Sequence, residues 1–433
     1  MPVFLNSLGS TFEKDFETLL SSKREDSVDV DSSVREIIGK VIEFGDQALI
    51  DYTQKFDRVT LTPDNLRFTQ LELKEKVSEV SDKDRSALEL AVTRIEAYHK
   101  KQLPENAFWT DESGIELGWC WSPVAAAGLY VPGGLASYPS SVLMNAIPAK
   151  VAGVERLAIT VPTPDNKINP LVLLAAQLSG VDEIYRVGGA QAIAALAYGT
   201  KTILPVDKIT GPGNAFVAAA KRQVFGRVGI DMIAGPSEIL VIADKTSRPN
   251  WIALDLLSQA EHDENAQSIL ITDSDDVVRE VTKQIEVNLK NLSRAQIAGK
   301  SWNNNGAIIK VPNLDKAAEL SNRIAPEHLE LCVSHPDKLA KKISNAGAIF
   351  LGHWTPEAVG DYVTGPNHVL PTARSARFSS GLSVMDFLKR TTLAKVSREA
   401  LLKIGPSAVT LADSEGLECH GLSISERMKS NSK

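Results

Sequence analysis

The N-terminal part of the chain carries apolar residues at helical spacing. Ser33 and Glu36 form a plausible capping box, and the apolar period that follows is interrupted near Gly45. A second amphipathic stretch runs from about Asp82 to Lys101. Both stretches end in polar or proline-containing segments. The pattern predicts that residues 1–110 are mostly helical.

From about residue 122 the pattern changes to short apolar runs that alternate with helical stretches. The runs are VAAAGLYV (124–131), RLAITV (156–161), EIYRVGG (183–189), EILVIAD (238–244), SILITD (268–273), AIIKV (307–311) and AIFLG (348–352). Between them, segments such as Leu171–Ser179 and Ala190–Tyr198 have a helical pattern. Strands that alternate with helices imply parallel sheets covered on both faces, and these runs are enough for two sheets. The end of the chain is again predicted to be helical.

Composition narrows the class of protein. The chain has 433 residues, of which 43% are hydrophobic and 23% charged, and this mix excludes global disorder. A formal net charge of −7 disfavours nucleic acid as the main partner. The cysteines Cys120, Cys332 and Cys419 are too few for a disulfide framework and suit a reducing compartment. Since neither a signal-peptide pattern nor a membrane-spanning apolar run occurs, we expect a soluble, cytoplasmic protein.

Three glycine-rich turns adjoin apolar runs: YVPGG (130–134), VGGAQAIAALA (187–197) and GPGNAF (211–216). Glycine lets a backbone approach a ligand, and the start of a helix offers amides to a phosphate. The second turn has a strand–glycine–helix form that suits a dinucleotide. None of the three is a GxGxxG sequence with an acidic residue after the next strand. By themselves, the turns leave nucleotide binding and plain tight turns both open.

Two polar pairs stand out in the second half of the chain. Gln259 and His262 are three residues apart on a predicted helix, where they would share one face and suit a metal ion; a solvated helix surface is the alternative. Glu327 and His328 are adjacent, and they are either an acid–base pair or an ordinary helix N-terminus. The histidines without a companion motif, which we predict to be surface residues, are His99 and His335.

Further polar residues lie closer to the C-terminus. Asp361 and His368 belong to VGDYVTGPNHVLPT (359–372), which glycine and proline mark as a shaped loop. Glu415 and His420 belong to DSEGLECH, which taken alone has the pattern of a surface helix. Two histidines, a carboxylate and an amide oxygen would suit Zn²⁺, with Mn²⁺ or Co²⁺ as substitutes. Because these residues are far apart in the sequence, their spacing does not establish a site.

Taken together, these stretches resemble the histidinol dehydrogenase family. The shared strings are GLYVPGG, VGGAQAIAALAYGT, VDKITGPGNAFVAAAKRQV, DMIAGPSEILVIAD, LLSQAEHD, APEHLE and GDYVTGPNHVLPT. They occur in the order of the family and cover roughly residues 28–425. The family also lacks the standard glycine fingerprint, in agreement with its absence here.

The resemblance implies roles for individual residues. The zinc ligands it implies, for one Zn²⁺ per subunit, are Gln259, His262, Asp361 and His420. The catalytic pair it implies is Glu327 and His328. The residues implied to contact L-histidinol are Ser237, Gln259, His262, His328, Asp361, Glu415 and His420. The residues implied to contact NAD are Tyr130, Gln191 and Asn214.

The resemblance also implies an architecture. The expected fold is α/β, with two Rossmann-like domains of parallel sheets, one inserted in the other, and small helical N- and C-terminal domains. The expected boundaries are 1–26 for an N-terminal helical segment, 27–121 with 238–380 for the first Rossmann-like domain, 122–237 for the second, and 381–433 for a dimer-exchanging segment. Family members are intertwined homodimers, so Glu415 and His420 would serve the partner's site. Cys419 is a mild departure, because small residues are common at that position.

The implied reaction is the oxidation of L-histidinol through L-histidinal to L-histidine by two NAD⁺, the last step of histidine biosynthesis. His328 is a suitable base for both oxidations, since the unperturbed pKa of histidine is about 6.5. Glu327 is expected to activate the water that hydrates the aldehyde. Zinc is expected to hold the substrate amine and imidazole in place rather than to generate hydroxide.

Other functions agree less well with these residues. A paralogue that oxidises another polar alcohol would be expected to change the pocket, whereas Glu327, His328, Glu415 and His420 are all present. A zinc hydrolase would use the same ligands but leaves the nucleotide-type turns without a role. A non-catalytic nucleotide-binding protein has no need of the Glu327–His328 pair. The sequence therefore favours a zinc- and NAD-dependent oxidoreductase that binds neither nucleic acid nor a membrane.

Overall fold

The computed structural model describes residues 2–21, 28–132, 138–233 and 235–429. The strands are β1 Val3–Asn6, β2 Ala107–Thr110, β3 Glu116–Pro123, β4 Ala126–Tyr130, β5 Arg156–Thr160, β6 Glu183–Tyr185, β7 Lys208–Thr210, β8 Gly229–Ile230, β9 Glu238–Ala243, β10 Gln267–Thr272, β11 Ala307–Lys310, β12 His328–Cys332, β13 Ala348–Leu351 and β14 Leu388–Lys395. The α-helices are α1 Phe12–Ser21, α2 Val28–Phe44, α3 Asp46–Asp57, α4 Gln70–Val77, α5 Asp82–Lys100, α6 Pro139–Ala152, α7 Pro170–Leu178, α8 Gly189–Tyr198, α9 Ala215–Val224, α10 Pro249–Ala260, α11 Asp275–Leu289, α12 Ala295–Asn305, α13 Leu314–Ile324, α14 Pro336–Ala340, α15 Glu357–Tyr362, α16 Arg398–Ser414 and α17 Glu418–Lys429.

Two parallel sheets form the framework. One has five strands in the order β6-β5-β4-β7-β8, and the other has six in the order β1-β11-β10-β9-β12-β13. In the five-stranded sheet, β4 to β8 come from one continuous run of chain, and in the six-stranded sheet β9 to β13 do. In each run the second and third strands lie on one side of the first strand, and the fourth and fifth lie on the other side. This is the Rossmann-type order. The predicted fold class is therefore confirmed.

Both faces of the six-stranded sheet are covered at its centre, whereas Ile349 and Leu351 on the edge strand β13 are exposed. Along β9, Leu240 and Ile242 pack into one apolar cluster, while Ile239 and Val241 pack into another. Side chains alternate between the faces of a strand, so β9 is apolar throughout because both of its faces are buried. The predicted strands in this sheet have the same continuous apolar pattern.

All seven predicted strands of the parallel region are present, and so are the two helices proposed between them, α7 and α8. Several other strands were not predicted. β7 and β8 are too short to give a pattern. In β12 the buried polar residues His328 and Glu330 interrupt the apolar run. As a result, the APEHLE segment is the start of a strand rather than of a helix.

The N-terminal region is mostly helical, as predicted. Gly45, with φ of 56°, separates α2 from α3, and α5 matches the second amphipathic stretch. The proposed capping box is wrong, because Ser33 and Glu36 lie inside α2 rather than at its start. The prediction also missed β1, which pairs with β11 at the edge of the six-stranded sheet.

Two histidines were predicted to be surface residues. His335 is exposed, as expected. The prediction for His99 is wrong: its side chain is fully buried on α5, and Nδ1 donates to the carbonyl oxygen of Ile95 at 2.8 Å. This bond satisfies a ring nitrogen within the helix, which lets the histidine occupy the apolar face.

The chain divides into two compact units, residues 1–102 with 125–387 and residues 103–124 with 388–433. The first unit contains both parallel sheets. The second contains an antiparallel sheet in the order β14-β3-β2 together with α16 and α17. None of the described helices is both long and apolar enough to cross a membrane. The domain boundaries expected from the family resemblance stay a prediction.

Candidate active site

The Glu327–His328 pair lies at the amino end of β12, beside the start of β9. The backbone of Glu238 contacts both side chains: its N–H donates to Glu327 Oε2 at 2.8 Å, and its carbonyl oxygen lies 3.0 Å from His328 Nδ1. A carbonyl oxygen only accepts, so Nδ1 carries the proton. His328 Nδ1 is also 3.6 Å from Glu327 Oε2. The parallel pairing of β12 with β9 therefore orients both members of the pair.

His328 is held as a neutral imidazole with an available acceptor. With the proton on Nδ1, Nε2 carries the lone pair, and this atom is buried without a hydrogen-bond partner among the described residues. Burial lowers the pKa of His328 to about 4, although the charge of Asp361 acts in the opposite direction. At neutral pH the imidazole is therefore uncharged, with the lone pair of Nε2 free of a proton.

A second carboxyl group faces this nitrogen. Glu357, the first residue of α15, is buried, and its Oε1 lies 3.6 Å from His328 Nε2. Burial, with the nearby charge of Asp361, raises the pKa of Glu357 to about 10, so it is a carboxylic acid at neutral pH. Its side chain also hydrogen-bonds to Asp361. Glu357 was not predicted as a site residue, because a glutamate after a proline at a helix start is ordinary.

A buried acidic pair holds α15 in position. Glu330 on β12 accepts a hydrogen bond from the backbone N–H of Glu357 at 2.5 Å. Burial, together with the charge of Asp255 on α10, raises the pKa of Glu330 well above its usual range. The side chains of Glu330 and Asp255 are hydrogen-bonded to each other. The Glu330–Asp255 hydrogen bond thus links β12 to α10, and the N–H of Glu357 links α15 to the same carboxyl group.

Gln259 and His262 lie together at the end of α10. Gln259 is within the helix, whereas His262 is in the turn beyond it, so the prediction that both are helical is only half right. The side-chain Nε2 of Gln259 lies 3.1 Å from His262 Nδ1. Burial lowers the pKa of His262, which keeps the imidazole neutral, as a metal ligand must be. Gln259 Oε1 is buried and has no donor in the described part of the chain.

Asp361 connects this region to α6. His368 Nδ1 donates to the carbonyl oxygen of Asp361 at 3.0 Å, and the same nitrogen lies 3.5 Å from Asp361 Oδ1. On the other side of the ring, Nε2 is 3.4 Å from the hydroxyl of Ser141. Asp361 and His368 were both predicted to lie in a shaped loop. Asp361 instead lies on α15, whereas His368 is in the loop and, without a predicted role, joins the cluster.

The donor atoms of the region fit a metal ion. Nitrogen and oxygen atoms of His328, Glu357 and Asp361 all lie within 4.8 Å of one another, and of these three residues only Asp361 is among the predicted zinc ligands. The unpartnered Gln259 Oε1 is a buried acceptor, which is costly unless a positive group reaches it. Neutral imidazole, carboxylate and amide oxygens suit zinc.

The other predicted substrate residues lie in different places. Ser237 is half-buried and directly precedes β9. Glu415 and His420 belong to the second compact unit, where both are exposed. Glu415 follows α16, and His420 lies in the first turn of α17.

The predicted NAD contacts line one cavity of about 300 Å³. It lies at the carboxyl ends of β4, β6 and β7, the edge of a doubly wound sheet where ligands bind. The hydroxyl of Tyr130 accepts from the backbone N–H of Gly189 at 3.1 Å. Gln191 is 2% exposed, and its Oε1 has no hydrogen-bond partner in the described ranges. Asn214 Oδ1 caps α9 by accepting from the N–H groups of Phe216 and Val217.

Glycine is required around this cavity. Gly211 has φ of 115°, and a Cβ atom there would collide with the carbonyl oxygen of Tyr130. Gly189 has φ of 67°, and a Cβ would lie 2.7 Å from Gln191 Oε1. Both glycines permit backbone conformations that other residues avoid. Gly133, Gly134 and Ala234 of the matching strings lie outside the described residues.

Comparison with known proteins agrees with the geometry. The sequence profile of the family described as Histidinol dehydrogenase matches residues 20–428. The histidinol dehydrogenase of Ruegeria pomeroyi is 68% identical over 428 residues, covering 99% of both chains. That of Cereibacter sphaeroides is 65% identical over 428 residues, again with 99% of each chain covered.

A solved structure extends the likeness to three dimensions. The crystal structure of histidinol dehydrogenase from Elizabethkingia anophelis has a TM-score of 0.94 and 36% sequence identity, and the match covers 99% of this chain and 98% of that one. Sequence and fold thus agree over essentially the whole length. The chain belongs to the histidinol dehydrogenase family and is an oxidoreductase.

Proposed function

We propose that this chain oxidises L-histidinol through L-histidinal to L-histidine, with NAD⁺ as oxidant and a bound Zn²⁺. The observation that carries the proposal is the buried His328 imidazole, which is neutral, has its proton on Nδ1, and has an unpartnered Nε2 beside two acidic side chains. Loss of hydride from an alcohol carbon requires removal of the hydroxyl proton. A correctly oriented neutral histidine is suited to accept it.

Zinc would be held by Gln259, His262, Asp361 and, from the second compact unit, His420. When bound, it would supply a fixed attachment for the amine and imidazole of the substrate. The orphaned amide oxygen of Gln259 and the lowered pKa of His262 support this assignment. The substrate would further contact Ser237, His328 and Glu415.

The two catalytic side chains have separable tasks. His328 takes the proton of the hydroxyl group in the first oxidation and again in the second, when the hydrated aldehyde loses a proton. Glu327 activates the water that hydrates the aldehyde, and its carboxylate is oriented for this by the Glu238 amide. NAD⁺, when bound, accepts the hydride. The nearby Glu357 side chain is hydrogen-bonded to Asp361 and so helps to keep that carboxylate in place.

NAD⁺ would occupy the cavity lined by Tyr130, Gln191 and Asn214. Two observations support this binding site for NAD⁺. The cavity lies at the carboxyl edge of the parallel sheet, and Gln191 Oε1 is buried without a hydrogen-bond partner among the described residues. We further propose a homodimer in which residues 381–433 cross to the partner, so that Glu415 and His420 complete the partner's site. The acidic net charge of −7 supports a small-molecule substrate rather than nucleic acid.

A spectrophotometric assay with L-histidinol and NAD⁺ tests the proposal. The zinc-loaded protein should form two NADH per L-histidinol, with L-histidine as the product. Removal of the metal by a chelator should abolish NADH formation, and added Zn²⁺ should restore it. The absence of NADH from zinc-loaded, folded protein would disprove the function, and full activity of metal-free protein would disprove the role of zinc.

A further inference from the structure

The proposed nucleotide cavity contains one carboxylate whose position is unfavourable without a ligand. Asp57 is the last residue of α3 and lines the cavity. Its Oδ2 is buried and has no hydrogen-bond partner within the described residues. A carboxylate at the C-terminal end of a helix also faces the negative end of the helix dipole. Burial raises the pKa of Asp57, because the charged form of the carboxyl group is destabilised where water is excluded.

A buried acceptor of this kind is expected to gain donors when the cavity is filled. The same cavity has a second buried acceptor without a partner in the described chain, Gln191 Oε1. Apolar side chains line it as well, among them Ile37, Phe56 and Phe216. The ligand that fits therefore combines an apolar part with hydrogen-bond donors.

The topology explains why the carboxylate comes from α3. In Rossmann-type domains the acidic residue that binds ribose usually follows the second strand. Here that strand is β5, and the chain continues with Val161, Pro162 and Thr163. Asp165 follows soon after, but both of its carboxylate oxygens accept hydrogen bonds from Arg58, at 2.7 and 2.8 Å. Asp57 supplies a carboxylate to the cavity from outside the sheet.

The same ion pair affects the choice between cofactors. NADP⁺ differs from NAD⁺ by a 2′-phosphate on the adenosine ribose, and enzymes that use NADP⁺ commonly bind this phosphate with an arginine. Arg58 is adjacent to Asp57, but its guanidinium group is bound to Asp165. A 2′-phosphate near Asp57 would meet a carboxylate instead of a cation.

We propose that Asp57 accepts hydrogen bonds from the adenosine ribose hydroxyls of the dinucleotide and thereby selects NAD⁺ over NADP⁺. This inference rests on the proposed binding of NAD⁺ in the cavity. The carboxylate attracts the two hydroxyl donors of NAD⁺ and repels the 2′-phosphate of NADP⁺. Asp57 is a binding residue of the cofactor and has no part in proton transfer.

Binding without turnover tests the proposal. Dissociation constants of NAD⁺ and NADP⁺ are measured by calorimetry, without L-histidinol, for the full-length zinc-loaded wild type, Asp57→Asn and Asp51→Asn. Asp51 is the matched control, because it is an exposed aspartate on the same helix. For Asp57→Asn we expect NAD⁺ to bind about 10- to 100-fold more weakly, because charged hydrogen bonds are lost, while NADP⁺ binding is unchanged or tighter. Asp51→Asn should match the wild type.

A second probe separates contact from structural damage. Nicotinamide 2′-deoxyadenosine dinucleotide should bind the wild type more weakly than NAD⁺ does, whereas Asp57→Asn should distinguish the two much less. Equal weakening of NAD⁺ and NADP⁺ by Asp57→Asn, or an unchanged preference for NAD⁺, would overturn the proposal. A wild type that binds neither dinucleotide would instead refute the proposed NAD site.

Discussion

At the residue scale, the site depends on the different contacts of two adjacent side chains. Glu327 accepts a hydrogen bond from the Glu238 amide, while His328 donates to the carbonyl group of the same residue. The backbone of Glu238 therefore orients the Glu327 carboxylate through its N–H group and sets the tautomer of His328 through its carbonyl group. The Nε2 atom remains as the acceptor for a substrate proton.

Substitutions of Glu327 and His328 should affect the two oxidation steps differently. Glu327→Gln retains an oxygen that can accept from the Glu238 amide but loses the basic carboxylate. We expect it to slow L-histidinal oxidation far more than L-histidinol oxidation, because only the second step needs activated water. His328→Asn should slow both steps, by roughly 10²- to 10⁴-fold, the usual contribution of a general base. Single-turnover NADH formation from each substrate measures the difference.

Metal content must be equal in both variants, since a lost ion would imitate either result. Equal slowing of the two steps by Glu327→Gln, with metal retained, would contradict the division of tasks. Glu327 would then act mainly by orienting His328, from which it is separated by 3.6 Å.

At the element scale, α5 is joined to the loop that carries His368. His99 on α5 is buried, and its Nε2 lies 3.5 Å from Asn367 Nδ2. Asn367 in turn donates to the carbonyl oxygen of Met144 on α6 at 2.6 Å. These contacts connect α5, α6 and the loop behind the candidate site, and they require a neutral histidine that accepts through Nε2.

This arrangement predicts pH-dependent stability. Burial lowers the pKa of His99, so the unfolded chain gains a proton near pH ~6.5, before the folded protein does. The stability from this contact is thus present above pH ~6.5 and is lost as the pH falls toward the folded-state pKa. Melting temperatures of the wild type and His99→Gln should differ most near neutral pH and converge in acid. His335→Gln, at an exposed position, is the matched control, and a constant difference for His99→Gln would contradict the prediction.

At the scale of the whole molecule, the proposed zinc ligands belong to both compact units. Gln259, His262 and Asp361 are in the first, and His420 is in the second. If the last is donated by the partner, each site requires two chains. Substitutions on opposite sides of a shared site can then complement each other.

Subunit exchange tests this arrangement. Inactive His262→Ala and His420→Ala proteins, mixed in equal amounts, should form mixed dimers with one intact site and recover about a quarter of wild-type activity. The matched control is His262→Ala mixed with Asp361→Ala, which should recover nothing, because both residues come from the same side. Exchange is verified with tagged chains. No recovery in the first mixture, despite proven exchange, would show that each site is built from one chain.

The sequence by itself determined the elements with a clear local pattern. Continuous apolar runs identify strands buried on both faces, as in β9 and β10, because burial of both faces favours an apolar residue at every position. It also determined the family, since long strings such as VGGAQAIAALAYGT occur in order along the chain. These features are visible because each depends on neighbouring residues.

Only the tertiary structure decided which distant polar groups meet. Glu238 and Glu357 join Glu327 and His328 because β9 pairs with β12 and Glu330 binds the first turn of α15, and His368 joins them through its contact with Asp361. Sequence reasoning missed β12 because its buried polar residues resemble a surface pattern, and it misjudged His99 for the same reason. A polar side chain is usually buried only where it finds a hydrogen-bond partner elsewhere in the chain, as His328 does in the Glu238 carbonyl group. Local periodicity does not reveal that partner.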